Sequence, residues 1–503
     1  MRRLLLAVIL AGLMWQPPAQ AHIGSLNVVY EGLAGTVPVR VIIRPPGVVP
    51  GLANIDVRVL TNGVRKITVL PVHGGAGLEG APPPDVCQPV EGDPDLYHAQ
   101  LWLMSSGAYS VHVQVESASG SGKVIVPVNS LATTRLGLST GLTVVLAALG
   151  ILLFLLAVSV VGAAVRESVI EPGVPTSHRR KQLGRVAMVG AVLILVLALT
   201  GGRRWWMAVD GDYRNNRMFK PVPMTTTVRE HSGGRQLRLV IDEKNSGRRW
   251  SPLVPDHGKL MHLFLIQEQE MKAFAHLHPI RRDSGNFACA LPNLPAGRYR
   301  VYADVTHETG FSQTLTSVVT LAESKPLTET DGLGPSVFSD PDDSVLVGGA
   351  GASGDGGRRQ TIGDGLSVIW DEPQVLRTGE PTTLKFRAVT ADGEAATLEP
   401  YMGMLAHLII SRDDGTVFTH LHPAGNISVA SQQVFQLRAG EQPPKRISPE
   451  MMEKLCQVPG PDLLRRPIGF PYEIPRPGRY KIWLQVKAGG QVRTAPFEVT
   501  VAE

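Results

Sequence analysis

The chain has 503 residues, with 49 Lys and Arg against 44 Asp and Glu for a formal charge of +5; 43% of its residues are hydrophobic and 18% charged. That length accommodates three domains of about 100–150 residues, and 53 Gly and 39 Pro between short apolar runs favour β-sandwiches over helical bundles. The charge is thinly spread with no basic stripe interleaved with aromatics, which points away from nucleic acid. Cys87, Cys289 and Cys456 fall one per domain with no C-x-x-C, which removes thiol redox chemistry and a zinc ribbon as leading ideas.

In chain order, residues 1–21 read as a signal peptide: Arg2 and Arg3, an apolar run over 4–15, and a small-x-small site at Ala19, Gln20 and Ala21. Cleavage there would make His22 the first residue, whose α-amino group and imidazole form a two-nitrogen chelate suited to Cu(II) or Ni(II). Residues 22–132 show short alternating strands over 37–43, 55–60, 66–70, 99–104, 109–115 and 123–128, the pattern of an extracytoplasmic immunoglobulin-like sandwich.

Residues 136–165 carry no charge and are long enough to span a bilayer. A second span is expected over 186–202, closed by Arg203, Arg204, Trp205 and Trp206, whose indoles suit the interface. The intervening loop, 166–185, holds Arg166, Arg179, Arg180, Lys181 and Arg185, so the positive-inside rule makes it cytoplasmic. Neither span has an ionisable residue in its middle, which argues for an anchor rather than a transport path.

Beyond the membrane hairpin the tetrapeptide HLHP occurs twice, as His276–Leu277–His278–Pro279 and His420–Leu421–His422–Pro423, and each copy follows another histidine, His262 or His407. Downstream, Phe287 and Pro292 before Gly297–Arg298–Tyr299 match Phe470 and Pro475 before Gly478–Arg479–Tyr480. This is an internal duplication of about 115 residues, giving a first module at 224–322, a Gly/Ser/Pro-rich linker at 323–360 and a second module at 361–503 with a polar insertion between 426 and 468. Gly107–Ala108–Tyr109 is a weaker third echo.

Side chains alternate along a strand, so i and i+2 histidines share a face and a facing strand can supply a third. In odd-even register His262, Phe264 and Ile266 share a face with Phe274, His276 and His278, and the second module repeats this with His407, His420 and His422. A slip of one residue would separate the anchoring histidine from the pair. Three neutral imidazoles suit copper or zinc. Aligning Gly258 with Gly403 sets His257 opposite Met402; these two, with Met261, Met404 and His307, are candidate additional ligands, a thioether biasing a site toward Cu(I). The His-bearing faces are apolar as well, so the two modules are expected to cover one another near a pseudo-twofold interface. In an oxidising compartment, Cys289 and Cys456 could bridge the modules.

The histidine after the signal site and the strand pattern ending in GAYSVHVQV resemble the CopC/YtkA-like periplasmic copper-handling sandwiches, apart from lacking their late Asp-x-His pair; His98 and His112 stand as weak second ligands. The run TLKFRAVTADG, LEPYMGMLAHLII, HLHP, PRPGRYKIWLQV resembles modules of uncharacterised bacterial secreted and membrane-anchored proteins. The order of outer domain, hairpin and paired modules is similar to one such membrane family, which implies an association with copper or other heavy metals.

The expectation is therefore a mainly β protein, three immunoglobulin-like sandwiches plus a two-helix transmembrane hairpin, anchored in the cell membrane with its folded domains on the periplasmic side. It would bind copper, with zinc as the alternative, through His262, His276, His278, His407, His420, His422 and His22, as a buffer, delivery protein or sensor with a metal-handling or envelope partner. The rival reading is an envelope scaffold with structural histidines. A zinc hydrolase or hydratase ranks last because no general base adjoins the cluster; phosphate loops and nucleophile elbows are absent from the sequence, so no catalytic residue is assigned.

Overall fold

Period-two alternation of apolar side chains produces strands throughout the computed structural model, which is predominantly β with three helices among its described residues: 26–118, 120–171, 173–231, 234–242, 251–323, 339–348, 357–371, 375–440 and 466–503. The segment expected to be a signal peptide, His22 and Cys456 lie outside these. The chain forms two compact units, one of residues 1–131 and 220–503, the other of residues 132–219.

The larger unit contains six sheets in three face-to-face pairs, each pair enclosing its own apolar cluster. In the first pair the strands Val28–Ala34, Val37–Arg44, Gly51–Val59, Asp93–Leu103 and Gln88–Val90 form one sheet, and Asp85–Val86, Val64–His73, Gly107–Ser117 and Gly120–Ser130 the other. All six expected strands are present, three of them (Val64–His73, Gly107–Ser117 and Gly120–Ser130) longer at both ends, and Val28–Ala34, Asp85–Val86 and Gln88–Val90 are additional. His98 and His112 fall on opposite sheets. His98 bonds Asp56 (Nδ1 to Oδ1, 2.7 Å), while His112 is buried beside Ser110 (Nε2 to Oγ, 3.1 Å), so the two do not share a site.

The second and third pairs repeat one plan. The strands His262–Gln267 and Ala406–Arg412 each lie between a histidine-bearing partner (Ala273–Leu277 or Phe418–Leu421) and a long strand after the Gly-Arg-Tyr turn (Gly297–His307 or Gly478–Ala488). That long strand has a counterpart in Gly107–Ser117. All three begin at a left-handed glycine, φ +142°, +139° and +132° at Gly107, Gly297 and Gly478, a conformation a Cβ would strain. In each, the tyrosine two residues on reaches back four residues: Tyr299 Oη donates to the Pro295 carbonyl (2.8 Å), Tyr480 Oη to that of Arg476 (2.7 Å), and Tyr109 Oη accepts from the Ser105 amide (3.1 Å).

Two expectations about connecting segments are corrected. Within the expected linker, Ser344–Val347 adds as a strand to the first module's sheet, its alternate Ser344 and Leu346 turned toward the interface with the second module. Within the polar insertion, Ser428 caps a helix, α3 (Val429–Arg438), accepting from the Ser431 amide at 3.0 Å. Ala430 and Val434 of α3 pack on Val254 of the first module, and Phe435 packs on Ala108 and Ile125 of the N-terminal sandwich. The turn after the second HLHP also docks there: the Glu31 amide donates to the Ala424 carbonyl (2.9 Å) and the Asn426 amide to that of Val29 (3.1 Å). Cys289 is fully buried in the first module's core, where burial pushes its thiol pKa up; Cys456, its expected bridge partner, lies outside the described residues.

The smaller unit is an antiparallel helical pair, α1 (Thr140–Glu167) and α2 (His178–Asp212), each long and apolar enough to cross a membrane. Helix α2 starts before and ends beyond the expected 186–202 span, because the flanking basic and tryptophan segments continue the helix. The helices meet at Gly162 and Gly184, where a Cβ on Gly184 would come within 3.2 Å of the Gly162 carbonyl oxygen.

Candidate metal centre

Pairing sets His262 opposite His278 and His407 opposite His422, as extrapolated from the registers Leu263↔Leu277 and Leu408↔Leu421, with Phe264↔His276 and Ile409↔His420 beside them. This is the odd-even register expected. Leu263, Leu277, Leu408 and Leu421 turn to the sandwich interiors. Met261, one residue from His262, falls on that same interior face and fills the first module's core, so it is not a ligand candidate. His307 is also removed from the cluster: its Nδ1 bonds the Ser251 carbonyl (2.8 Å) and its Nε2 meets Gln313 (2.8 Å).

The ring centroids of His262, His276 and His278 are 5.4, 5.2 and 4.6 Å apart, and those of His407, His420 and His422 are 5.2, 5.2 and 4.6 Å apart. With metal–nitrogen bonds of about 2.0–2.1 Å, a ring centre sits roughly 3.2 Å from an ion, so rings in a tetrahedral set are spaced about 5.2 Å. In each triad one nitrogen per ring lies within 4.8 Å of the other two.

Proton placement follows from the outward nitrogens. His262 Nε2 donates to the Asp256 carbonyl (3.1 Å), His276 Nδ1 to Gln485 Oε1 (2.7 Å) and His278 Nδ1 to Asp343 Oδ1 (3.0 Å). In the second triad His407 Nε2 donates to the Tyr401 carbonyl (3.3 Å), His422 Nδ1 to that of Ile427 (3.0 Å), and His420 Nδ1 faces Asp304 Oδ2 at 3.5 Å. The carbonyl, amide and Asp343 oxygens accept, so His262, His276, His278, His407 and His422 direct a proton outward and a lone pair inward; the Asp304 contact does not fix the His420 tautomer, because it is long and burial raises that carboxyl to about 7.

Two inward pairs stand close, His262 Nδ1 to His276 Nε2 at 3.2 Å and His407 Nδ1 to His420 Nε2 at 3.0 Å, while His278 Nε2 and His422 Nε2 are buried without a hydrogen-bond partner. The facing lone pairs of His262 and His276 in a dry interior need a shared cation, whereas His420 Nε2 can donate to His407 Nδ1. A proton fills that role poorly: burial, reinforced by neighbouring histidines, holds His262, His276, His407 and His420 well below the ordinary imidazole range, and burial also lowers His422. The donor set therefore fits an imidazole-loving divalent or cuprous ion.

The triads are continuous across the interface between the modules. Phe274 stacks on Trp483 (4.8 Å, 16°) and Phe418 on Tyr302 (4.0 Å, 6°), and these are equivalent positions exchanged between modules. The outward contacts are exchanged as well: His276 reaches Gln485, and its counterpart His420 faces Asp304. Asp304 and Gln485 are register partners of His262 and His407 and fall seven residues after the turn glycines, a signal already present in the duplicated sequence. Asp343 lies in the segment expected to be linker and carried no such signal. His22 lies outside the described residues.

A family model described as a domain of unknown function (DUF8832) matches residues 222–323 and 360–503, the two HLHP modules. No curated protein matches the chain. Among solved structures, an engineered protein is 20% identical over 20% of this chain and 21% of its own, with a TM-score of 0.15. A tetra-tandem repeat from the extending region of a large adhesion protein is 7% identical over 90% and 71%, TM-score 0.15. Salmonella alpha-2-macroglobulin reacted with methylamine is 8% identical over 97% and 24%, TM-score 0.17. The chain thus spans about a fifth of the first of these and about a quarter of the third.

Proposed function

We propose that this protein is a membrane-anchored, extracytoplasmic metal-binding protein that holds copper, with zinc as the alternative, at His262, His276 and His278 and at His407, His420 and His422. The observation that carries the reading is the convergence of the rings: five of the six have their outward nitrogens engaged by oxygen acceptors, and one nitrogen of each ring lies within 4.8 Å of the other two in its triad. A bound ion would supply the positive charge these lone pairs lack; the protein's part is to fix tautomers, orient rings and exclude water. Buffering, delivery or sensing suits such a site better than catalysis, because both triads are shut away from solvent and substrate. The three sheet pairs and their back-bonded tyrosines support immunoglobulin-like sandwiches. Two long apolar helices flanking a basic loop support an integral hairpin with the sandwiches outside, and a cleaved signal peptide would add His22 as a separate chelate. The test is the metal content of the purified chain after exposure to copper or zinc and dialysis. Bound metal in the wild type, lost in a His276→Ala, His420→Ala double variant that still folds, supports the reading; equal content in both leaves an envelope scaffold with structural histidines.

A further inference from the structure

His257 was aligned with Met402 by sequence, and the two turns are built alike: Asp256 bridges Lys259 as Tyr401 bridges Met404, with φ +51° at His257 and +47° at Met402, each followed by a left-handed glycine. A left-handed backbone at a bulky residue is held only where its surroundings over-determine it. In the first module this turn carries the His257 ring across the interface. Its centroid lies 4.9 Å from His422 and 5.6 Å from His407, both of the second module, against 6.3 Å from His262 of its own. The side chain is 3% exposed and its Nε2 has no hydrogen-bond partner. Asp256 Oδ1 stands 3.2 Å away, outside hydrogen-bond geometry, and that carboxylate already accepts from Ser428 Oγ (2.8 Å) and the Ala430 amide (3.1 Å).

We infer that His257 is the fourth ligand of the second module's site, supplied in trans by the first module; this rests on the metal-binding reading above. Its distances to His407 and His422 bracket the roughly 5.2 Å expected between rings around a tetrahedral ion, while its nitrogens fall outside the 4.8 Å grouping of His407, His420 and His422, so binding draws the His257 ring inward to complete the set. The duplication then yields two unlike sites. The second has four imidazoles and is closed, the composition of a site that retains its ion. The first has three imidazoles, and the residue equivalent to His257 is Met402, which brings no fourth imidazole. The first site is the exchangeable one. The ion in the second also ties the two modules together, because its ligands come from both.

The test is a competition titration of the full detergent-solubilised chain with Zn2+, and with Cu2+ for pulsed EPR. Expected are two equivalents of unequal affinity, with four imidazole nitrogens coupled to the copper in the tighter one. His257→Phe, which keeps a buried ring, weakens the tighter class at least tenfold and leaves three coupled nitrogens, while His276→Ala removes the weaker class and spares the tighter. Unchanged affinities in His257→Phe, or three coupled nitrogens in the wild type, overturn the assignment of His257 alone. An absence of any bound ion in the wild type overturns the metal-binding reading with it.

Discussion

His276 in the first module donates from Nδ1 to Gln485 Oε1 in the second at 2.7 Å, with Tyr401 Oη, also in the second, 3.3 Å from the same nitrogen. One module thus fixes the tautomer of a ring whose inward nitrogen belongs to the other's triad. Replacing such an outer partner commonly weakens metal affinity about 10–100-fold. Gln485→Leu is expected to reduce the affinity of the first site by that range without changing the number of ions bound, read by competition titration.

The interface between modules also has an apolar half, and it should be separable from the ligands. Trp483 is fully buried and stacked on Phe274, with Phe264, Ile409 and Phe418 in the same cluster. Trp483→Ala is expected to destabilise the larger unit by about 3–5 kcal/mol in urea unfolding. Trp483→Phe should cost less, because the stack is retained and the indole Nε1 has no hydrogen bond to lose.

Acid sensitivity is expected in the N-terminal sandwich independently of any metal. Burial lowers the His112 pKa from 6.5 to about 4, with Lys123 adding to the effect. The unfolded chain therefore binds a proton at higher pH than the folded one, so the stability from keeping His112 neutral is full above pH 6.5 and is lost as pH falls from 6.5 toward 4. At about 1.4 kcal/mol per unit, a displacement from 6.5 to about 4 makes the full loss on the order of 3 to 4 kcal/mol. Unfolding midpoints at pH 7 and pH 4.5 should diverge less in His112→Gln than in the wild type.

The helical pair closes on two glycines with different tolerance. A Cβ at Gly162 meets the flexible Met188 side chain, whereas one at Gly184 meets the backbone of the opposing helix. Gly184→Leu is expected to lower the thermal midpoint of helix loss in detergent more than Gly162→Ala does, measured by circular dichroism.

Much of this arrangement was legible in the duplication itself. A period of two and the spacing of His262 from His276 and of His407 from His420 were enough to give strand register, the identity of the shared faces and their apolar character. The same rule, applied one residue earlier, would have sent Met261 to the interior, where it lies. Aligning Gly258 with Gly403 matched two left-handed turns, but not the reach of His257 into the other module, which depends on how two sheets pack rather than on local pattern. Helix α3 and the strand that brings Asp343 to His278 were not foreseen because both draw their stability from tertiary contacts in segments whose composition reads as polar loop.

The most direct measurement of the central claim is X-ray absorption at the copper or zinc edge of the metal-loaded chain. Expected is a first shell of three to four nitrogens at about 2.0 Å with the outer-shell scattering of imidazole carbons, diminished by His262→Ala and His407→Ala together. A first shell of oxygens without imidazole scattering, unaffected by those changes, would contradict it.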